Sequence, residues 1–274
     1  MAGKIYVVGT PIGNLEDFSP RAVRVLSDVD FIAAEDTRVT LKLLNHFGIK
    51  KETVSYYEHN KASKGEYLIR RVLGGENLAI VSDAGMPAIS DPGEDIVREA
   101  HEAGITVESV PGPSALVTAL SISGFPSGRF CFEGFLSVNR ISRKERLEEI
   151  KNETRTLIFY EAPHKLLKTL ADMREALGER EICIVKELTK IHETVYRTDF
   201  SSAIAFFTDN KPRGEYVVII KGAGKEECNP EFTLAEAQNL ARKLMSEGCS
   251  ASAAAKEAAS VSGYKKGEIY KAIV

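Results

Sequence analysis

The chain has 274 residues, of which 43% are apolar and 27% charged, and its formal net charge is −3. This length and composition are typical of an ordinary globular protein with one large or two moderate domains. The slightly acidic balance argues against a basic protein that coats nucleic acid, but it allows a local basic patch.

Neither a membrane span nor a disulfide framework is predicted. No apolar run is long enough to cross a bilayer, and the first residues lead into a strand pattern without the shape of a signal peptide. The four cysteines, Cys131, Cys183, Cys228 and Cys249, are widely spaced, which favours free thiols in a reducing compartment. We therefore expect a cytoplasmic protein.

Strands and helices alternate through the first 124 residues. Strands are predicted at 4–8, 31–34, 54–56, 78–81 and 106–110, and helices around 20–26, 41–47, 65–73, 96–103 and 115–121. This alternation predicts a mainly parallel sheet with helices on both faces. Turn-forming residues cluster at 124–128, so we place the end of an N-terminal α/β domain, residues 1–124, at that point.

A second α/β domain is predicted over residues 125–224. Its strands are expected at 130–136, 156–160, 182–187, 194–198 and 215–221, and its helices near 143–151, 163–176 and 202–207. Since Thr194 follows Lys186 with too little chain for a helical crossover, this sheet should be mixed. A linker at 222–230 precedes a small helical module, residues 230–274, with helices at 234–245, 250–259 and 266–273.

The most informative loop is the stretch 81–93, between a buried strand and an amphipathic helix. Asp91 can cap that helix, with Pro92 at its first position. In open α/β sheets, ligands bind outside the carboxyl ends of the strands. Gly85 permits close approach to the backbone, and Asp83 offers an acceptor for hydroxyls or an amine. A tight, well-capped loop without a ligand is the alternative interpretation.

Familiar nucleotide and metal motifs are missing from the sequence. The segment Gly9-x-Pro11-x-Gly13 follows the first strand, but it lacks the glycine pattern of GxGxxG, and the next helix starts only after Ser19. A pyrophosphate cradle is therefore not expected. There is no Walker lysine loop, no GxSxG and no HExxH, and the five histidines are scattered, so we expect no metal.

Loops of small residues follow five of the predicted strands, at 9–14, 82–88, 111–115, 160–164 and 186–190. Loops from both domains could face one cleft. Acidic and backbone groups with little fixed positive charge suit a ligand without phosphates, and S-adenosylmethionine is such a ligand. The alternative is that these loops are ordinary connections with normal turn chemistry.

Eight short motifs occur in order along nearly the whole chain. They are VGTPIGNLEDFSPRA (8–22), EDTR (35–38), SDAGMPAISDPG (82–93), VPGPSA (110–115), EGFL (133–136), FYEAPH (159–164), KELTKIHE (186–193) and RGEYVVI (213–219). Together they resemble the ribosomal RNA small subunit methyltransferase I family, a branch of the tetrapyrrole (corrin/porphyrin) methylase superfamily. After EGFL the family often has a proline and a denser basic run, whereas residues 137–140 here read Ser-Val-Asn-Arg.

The resemblance implies two α/β domains with S-adenosylmethionine in the cleft between them, usually in a homodimer. It implies 2′-O-methylation of a cytidine ribose in the decoding region of 16S rRNA, with small-subunit rRNA or the 30S subunit as the partner. The cofactor positions that carry over are Pro11, Asp83, Ala84, Gly85, Ala88, Ser114, Ala115, Glu161 and Leu188.

Catalytic and RNA-binding residues are expected beside the same strand ends. A ribose 2′-hydroxyl must lie in line with the methyl group and lose its proton, so Asp36, Lys186 and Glu187 are candidates for the base or for orienting groups. Arg38 and Arg213 are expected to position phosphate or a base edge. For each of these residues, a structural ion pair is the alternative.

A basic cluster and a lysine-bearing tail are further candidates for RNA contact. Given the resemblance, we assign phosphate contacts to Arg140, Arg143, Lys144 and Arg146, with a solvated helix face as the alternative. The tail carries Lys256, Lys265, Lys266 and Lys271, and it is either an RNA-contacting module or a dimer-packing element.

Two other functions stay open. One is a tetrapyrrole methyltransferase with the same cofactor site. The EDTR motif, the 186–193 motif and the helical tail argue against it, because such an enzyme needs none of them. The other is a non-catalytic ribosome-assembly factor, and the complete set of cofactor loops argues against that function.

Overall fold

The computed structural model describes residues 2–91, 93–224 and 233–274. These residues form two five-stranded sheets with helices around them, followed by a helical module. The predicted α/β class, with two such units and a C-terminal helical module, is therefore confirmed. Pro92, Cys228 and positions 225–230 of the predicted linker lie outside the described residues.

The first sheet is entirely parallel, as the alternation of strands and helices predicts. Its strands are β1 (Lys4–Val8), β2 (Phe31–Ala34), β3 (Glu52–Ser55), β4 (Leu78–Val81) and β5 (Thr106–Val110), in the order β3-β2-β4-β1-β5. Every residue of β2 and β4 is buried, because helices cover both faces of a parallel sheet.

Five helices follow these strands in turn. They are α1 (Pro20–Asp28), α2 (Thr37–His46), α3 (Lys61–Leu73), α4 (Gly93–Glu102) and α5 (Ala115–Ser123). The Ser19 hydroxyl accepts the Ala22 N–H at 3.1 Å, and this cap starts α1 as predicted. Helix α3 starts at Lys61, four residues before the predicted start. Gly65 lies inside it, where a Cβ would meet a carboxylate oxygen of Glu99 on α4 at 2.6 Å.

Alternate strand residues point into two separate apolar layers. Ile32 and Ala34 of β2 pack with Leu26 of α1 and Leu44 of α2. Phe31 and Ala33 face the opposite layer, where they meet side chains from α3 and α4. Because helices cover both faces, ligands have access mainly at the carboxyl edge of the sheet, where the small-residue loops lie.

The second sheet is mixed, as the short β8–β9 connection predicts. Its strands are β6 (Phe130–Phe135), β7 (Thr156–Glu161), β8 (Glu181–Lys186), β9 (Thr194–Asp199) and β10 (Tyr216–Ile220), in the order β6-β7-β10-β8-β9. The β6–β7 pair is parallel, and the other pairs are antiparallel.

Helices from both halves of the chain cover this second sheet. One face packs against α6 (Arg140–Glu149), α7 (Pro163–Leu177) and α8 (Phe200–Asp209). The other face packs against α5, whose Ala119 and Leu120 belong to the same apolar cluster as Ile158 and Val185. Helix α5 precedes the predicted boundary at residue 124 but packs on the second sheet, so it joins the two units.

The C-terminal module consists of α9 (Leu234–Ser246), α10 (Ala251–Ser262) and α11 (Lys266–Ile273). These helices share a small core of their own, built from Ala237, Ala241, Ala254, Ala255, Ala258 and Ile269. Three of these alanines, Ala254, Ala255 and Ala258, lie on α10, so small side chains bring this helix close to its two neighbours. A capping box between Thr233 and Glu236 starts α9.

Candidate active site

Three loops of the first sheet interlock at its carboxyl edge. Thr10 and Gly85 exchange backbone hydrogen bonds of 2.9 and 3.1 Å, and Gly85 has a φ of +87°. A Cβ at Gly112 would lie 2.8 Å from the backbone of Gly9, so these two positions admit only glycine without displacement. The loops at 9–14, 82–88 and 111–115 are thereby held against one another.

Loops of the second sheet meet them from the other side. Ile12 packs in one apolar cluster with Leu188, and the Tyr160 hydroxyl accepts the Leu116 N–H at 2.9 Å. Gly13 lies against Lys190, where a Cβ would approach the Lys190 Cγ to 2.6 Å. The strand-end loops of both sheets therefore face one another.

A cavity of about 450 Å³ lies between the loops of the two sheets. It brings together seven of the nine residues predicted for the cofactor, namely Asp83, Ala84, Gly85, Ser114, Ala115, Glu161 and Leu188. Pro11 lines a second cavity instead. Ala88 supports the 82–91 loop, since it has a φ of +65° and its N–H donates to Asp91 Oδ1 at 2.9 Å.

Acidic side chains dominate the polar part of this first cavity. Its lining includes Glu35, Asp83, Asp91, Glu161 and Glu215 and, among the described residues, no lysine, arginine or histidine. Burial raises the pKa of Glu35, and the neighbouring Asp83 carboxylate raises it further. Burial also raises the pKa of Asp83. Such a cavity favours a cationic ligand and disfavours phosphates.

The rest of the first cavity is aromatic and aliphatic. Phe135 is 56% exposed, and its ring centroid lies 5.6 Å from that of Tyr160. Leu188 and Val185 continue this surface. Carboxylates on one side and rings on the other fit S-adenosylmethionine, which combines a sulfonium and an ammonium group with an adenine ring. Glu35, Phe135 and Tyr160 were not predicted as site residues, although each lies in one of the eight motifs.

Backbone strain concentrates in the loops that flank this cavity. Of the described non-glycine residues, Ala88, Ser90, Glu187 and Thr189 have positive φ angles, between 51° and 69°. Residues other than glycine rarely adopt this backbone conformation, and it persists only where the surrounding structure enforces it. All four residues belong to the 82–91 and 186–190 loops.

Asp36, predicted to be catalytic, is fully engaged in local structure. Its carboxylate caps α2 by accepting the Arg38 N–H at 2.8 Å, and it pairs with the Arg38 guanidinium at 2.6 Å. These hydrogen bonds lower the pKa of Asp36 to about 2, which makes it a weak base. Its backbone N–H donates to Asp83 Oδ1 at 3.0 Å, so Asp36 orients a carboxylate of the cavity wall.

The other two predicted catalytic residues end strand β8 and begin the loop after it. Glu187 accepts the Glu215 N–H at 2.9 Å and the Lys190 ammonium at 3.0 Å. Although burial acts to raise the pKa of Glu187, these contacts lower it below its ordinary value. Lys186 is half-buried and forms no ion pair within the described part of the chain. Neither residue is among the described residues that line the two cavities.

Arg143 corrects the prediction that the basic cluster contacts phosphate. Its side chain is 6% exposed, and its guanidinium binds Asp172 on α7 at 2.7 Å and also donates to the Ser137 carbonyl at 2.9 Å. It is therefore not available to RNA in this structure. Helix α6 begins at Arg140, three residues before the predicted start, because Asn139 caps it.

The other predicted substrate residues lie at the surface. Lys144 pairs with Glu175 at 2.7 Å, and Arg146 pairs with Glu133 at 2.7 Å. Arg140 and Arg213 are exposed, and the side chain of Arg38 is 86% exposed. Much of the positive charge predicted for RNA contact on α6 is thus neutralised by acids.

Two further observations bear on ligands and partners. Residues 2–91, 93–224 and 233–274 contain no group of three or more His, Cys, Asp or Glu side chains placed to hold a metal ion. No helix within those ranges combines the length and the apolar character that a membrane span requires.

The architecture matches known methyltransferases. The sequence model of the Tetrapyrrole (Corrin/Porphyrin) Methylases matches residues 4–204. Among solved structures, the methyltransferase CobJ superposes with a TM-score of 0.61 at 18% identity, over 81% of this chain and 95% of CobJ. A Thermus thermophilus uroporphyrin-III C-methyltransferase complexed with S-adenosyl homocysteine gives 0.56 at 19% identity, over 80% and 97%. The fold is that of the tetrapyrrole methylases.

Sequence relatives narrow this class. A Synechocystis protein is 45% identical over 98% of this chain and 96% of its own length, and a Pseudomonas aeruginosa protein is 46% identical over 98% and 96%. Both are named Ribosomal RNA small subunit methyltransferase I. The chain belongs to this family, within the tetrapyrrole methylases. It is a methyltransferase, and its cofactor is S-adenosyl-L-methionine, as predicted.

Proposed function

We propose that this protein methylates the ribose 2′-hydroxyl of a cytidine in the decoding region of 16S rRNA, in the small ribosomal subunit. The names of the sequence relatives support rRNA as the substrate. The observation that carries the chemistry is the acidic first cavity between the two sets of strand-end loops, because its charge and shape suit a sulfonium nucleoside.

The cofactor residues follow from the cavity wall. S-adenosylmethionine supplies an electrophilic methyl group on a positively charged sulfur when it is bound. Asp83 and Glu35 would stabilise positive charge, while Tyr160, Phe135 and Leu188 would bury the adenine ring. Small residues at 84–85 and 114–115 would let the ligand reach the backbone. Pro11 and Ala88 would support the loops from outside the cavity.

The predicted catalytic residues then divide into supporting and chemical roles. Asp36 orients Asp83 through its backbone N–H. Glu187 fixes the position of Glu215 by accepting a hydrogen bond from its backbone N–H. Lys186 has no ion pair in the described chain, so it is the one of the three that remains free to orient the substrate. Alanine replacement of Lys186 or Asp36, assayed by methyl transfer to small subunits, tests these roles. Unchanged turnover would remove that residue from the mechanism.

Three parallel incubations test the proposed function against its alternatives. The protein is mixed with labelled S-adenosylmethionine and, in separate reactions, naked rRNA, unmethylated small subunits and uroporphyrinogen. We expect label only on the subunits, at a cytidine 2′-oxygen identified by nuclease digestion and mass spectrometry. Label on uroporphyrinogen would indicate a tetrapyrrole methyltransferase. Cofactor binding without any transfer would indicate a non-catalytic assembly factor.

We further infer a metal-independent, cytoplasmic homodimer. The family resemblance supports the dimer, and the unpaired thiols of Cys131, Cys183 and Cys249 are compatible with a reducing compartment. Light scattering that gives the mass of a single chain would contradict the dimer. Loss of methyl transfer in EDTA would contradict metal independence.

A further inference from the structure

A second cavity of about 330 Å³ adjoins the first one on the N-terminal unit. It lies between the first loop and helix α2. The residues that line it are Thr10, Pro11, Gly13, Leu15, Val39, Thr40, Lys42, Leu43, His46, Ser82 and Asp83. Its volume is near the lower end of the range for small-molecule sites, which suits a nucleoside-sized group.

The two cavities meet at the end of strand β4. Ser82 and Asp83 line both of them. Thr10 lines the second cavity and Gly85 the first, and these two residues are joined by the backbone hydrogen bonds of 2.9 and 3.1 Å. A ligand in the second cavity would therefore be separated from a ligand in the first by only this narrow wall and the Asp83 side chain.

The chemistry of the second cavity differs from that of the first. Among the described residues that line it, there is one carboxylate, Asp83, and there are two basic side chains, Lys42 and His46. Both basic residues are exposed, and neither forms an ion pair within the described ranges. Leu15 and Val39, which are 42% and 39% exposed, supply apolar surface. An apolar floor with a basic rim suits a group that joins a flat ring to a phosphate.

We propose that the second cavity receives the target ribonucleotide of the RNA substrate, so that its 2′-hydroxyl meets the methyl donor beside Ser82 and Asp83. Lys42 and His46 would contact the flanking phosphates. This inference rests on the proposed function.

The transfer balances without any further reactant. The 2′-oxygen forms a bond to the methyl carbon, the carbon–sulfur bond breaks, and its electron pair stays on sulfur. The hydroxyl proton leaves to the Asp83 carboxylate or to water. Asp83 is the carboxylate that faces both cavities, so it is the group placed for this role.

Filling the cavity tests its role directly. Val39→Trp would occupy the proposed nucleotide space, whereas Leu41→Trp on the same helix changes a residue of similar exposure, 41%, that is not among the described residues lining either cavity. We expect Val39→Trp to raise the KM for small subunits about tenfold or more, with the calorimetric Kd for S-adenosylmethionine within about twofold of wild type. Leu41→Trp should behave as wild type.

A charge variant gives an independent measurement. Lys42→Gln should weaken subunit binding and reduce the slope of log K against log salt by about one, because one phosphate contact is lost. Lys50→Gln, at an exposed lysine just beyond α2, is the matched control and should leave the slope unchanged.

The outcomes distinguish a failure of this inference from a failure of the proposed function. Wild-type kinetics in folded Val39→Trp together with an unchanged salt slope in Lys42→Gln would overturn this inference alone. Loss of cofactor binding in folded Val39→Trp would also overturn it, since the cavity would then belong to the donor site. If wild type fails to methylate small subunits, the proposed function fails and this inference falls with it.

Discussion

Two arginines at the start of helix α6 show how little a basic residue type reveals about its role. Arg143 is buried against Asp172, whereas Arg140, one turn earlier, is exposed. Arg143→Ala would leave the Asp172 carboxylate, which is only 12% exposed, without its partner, and we expect a loss of about 3 kcal/mol in the free energy of unfolding. Arg140→Ala should stay within about 0.5 kcal/mol. Urea denaturation measures both, and equal stabilities would contradict the structural role of Arg143.

The acidic first cavity predicts a pH dependence of cofactor affinity. Burial raises the pKa values of Glu35 and Asp83 above those of the unfolded chain, so both carboxylates cost stability when ionised and this cost is relieved as the pH falls. A cationic ligand favours their ionised forms. Affinity for S-adenosylmethionine should therefore fall as the pH drops from neutral through these raised pKa values.

Glu35→Gln is the corresponding variant. It removes one of the two titrating groups, so affinity at neutral pH should fall and its pH dependence should become shallower. Calorimetry across the acidic range, at pH values where circular dichroism shows the protein folded, measures both effects. A wild-type affinity that does not change with pH would argue against the role of these carboxylates.

Local patterns predicted which residues line the first cavity better than they predicted the contacts of individual side chains. Asp83 and Ser114 stand at strand ends in loops of small residues, and this arrangement is visible in the sequence. The engagement of Asp36 depends on its cap and on Arg38, and the burial of Arg143 depends on a helix 29 residues away. Such tertiary contacts leave no mark on a local pattern.

The loops that form the first cavity depend on glycines at which two backbones touch. Gly112→Ala would place a Cβ 2.8 Å from the backbone of Gly9, which cannot yield as a flexible side chain would. We expect a loss of about 1–3 kcal/mol in stability, together with weaker cofactor binding, because the 9–14 and 111–115 loops must separate. Thermal unfolding and calorimetry measure these effects.

Gly128→Ala is the matched control for that substitution. A Cβ there would meet nothing within 4 Å, so stability and cofactor affinity should not change measurably. If both alanine variants behaved alike, the close approach of the two loops would not be important for the site.

The sequence predicted which segments form strands and helices, but it did not predict how these elements are arranged in space. Apolar runs marked the strands to within one or two residues, and the short segment after Lys186 indicated an antiparallel pair. The order β3-β2-β4-β1-β5 depends on pairing between distant strands. The packing of α5 on the second sheet likewise depends on contacts with residues far along the chain, such as Val185.

At the scale of the whole molecule, the helical module has an apolar core of its own, formed by residues of α9, α10 and α11. A chain truncated after Gly224 should therefore fold and bind S-adenosylmethionine with wild-type affinity. Calorimetry on this truncation checks the prediction, and an inability to bind would show that the module completes the site.

The placement of the cofactor between the two sheets is tested most directly by calorimetric titration of S-adenosylmethionine into the intact protein and into Ala115→Trp. The tryptophan would fill the first cavity, which Ala115 lines. We expect one saturable binding event per chain in the wild type and none in folded Ala115→Trp. A wild-type protein that gives no heat, or a folded Ala115→Trp that binds with wild-type affinity, would contradict this placement.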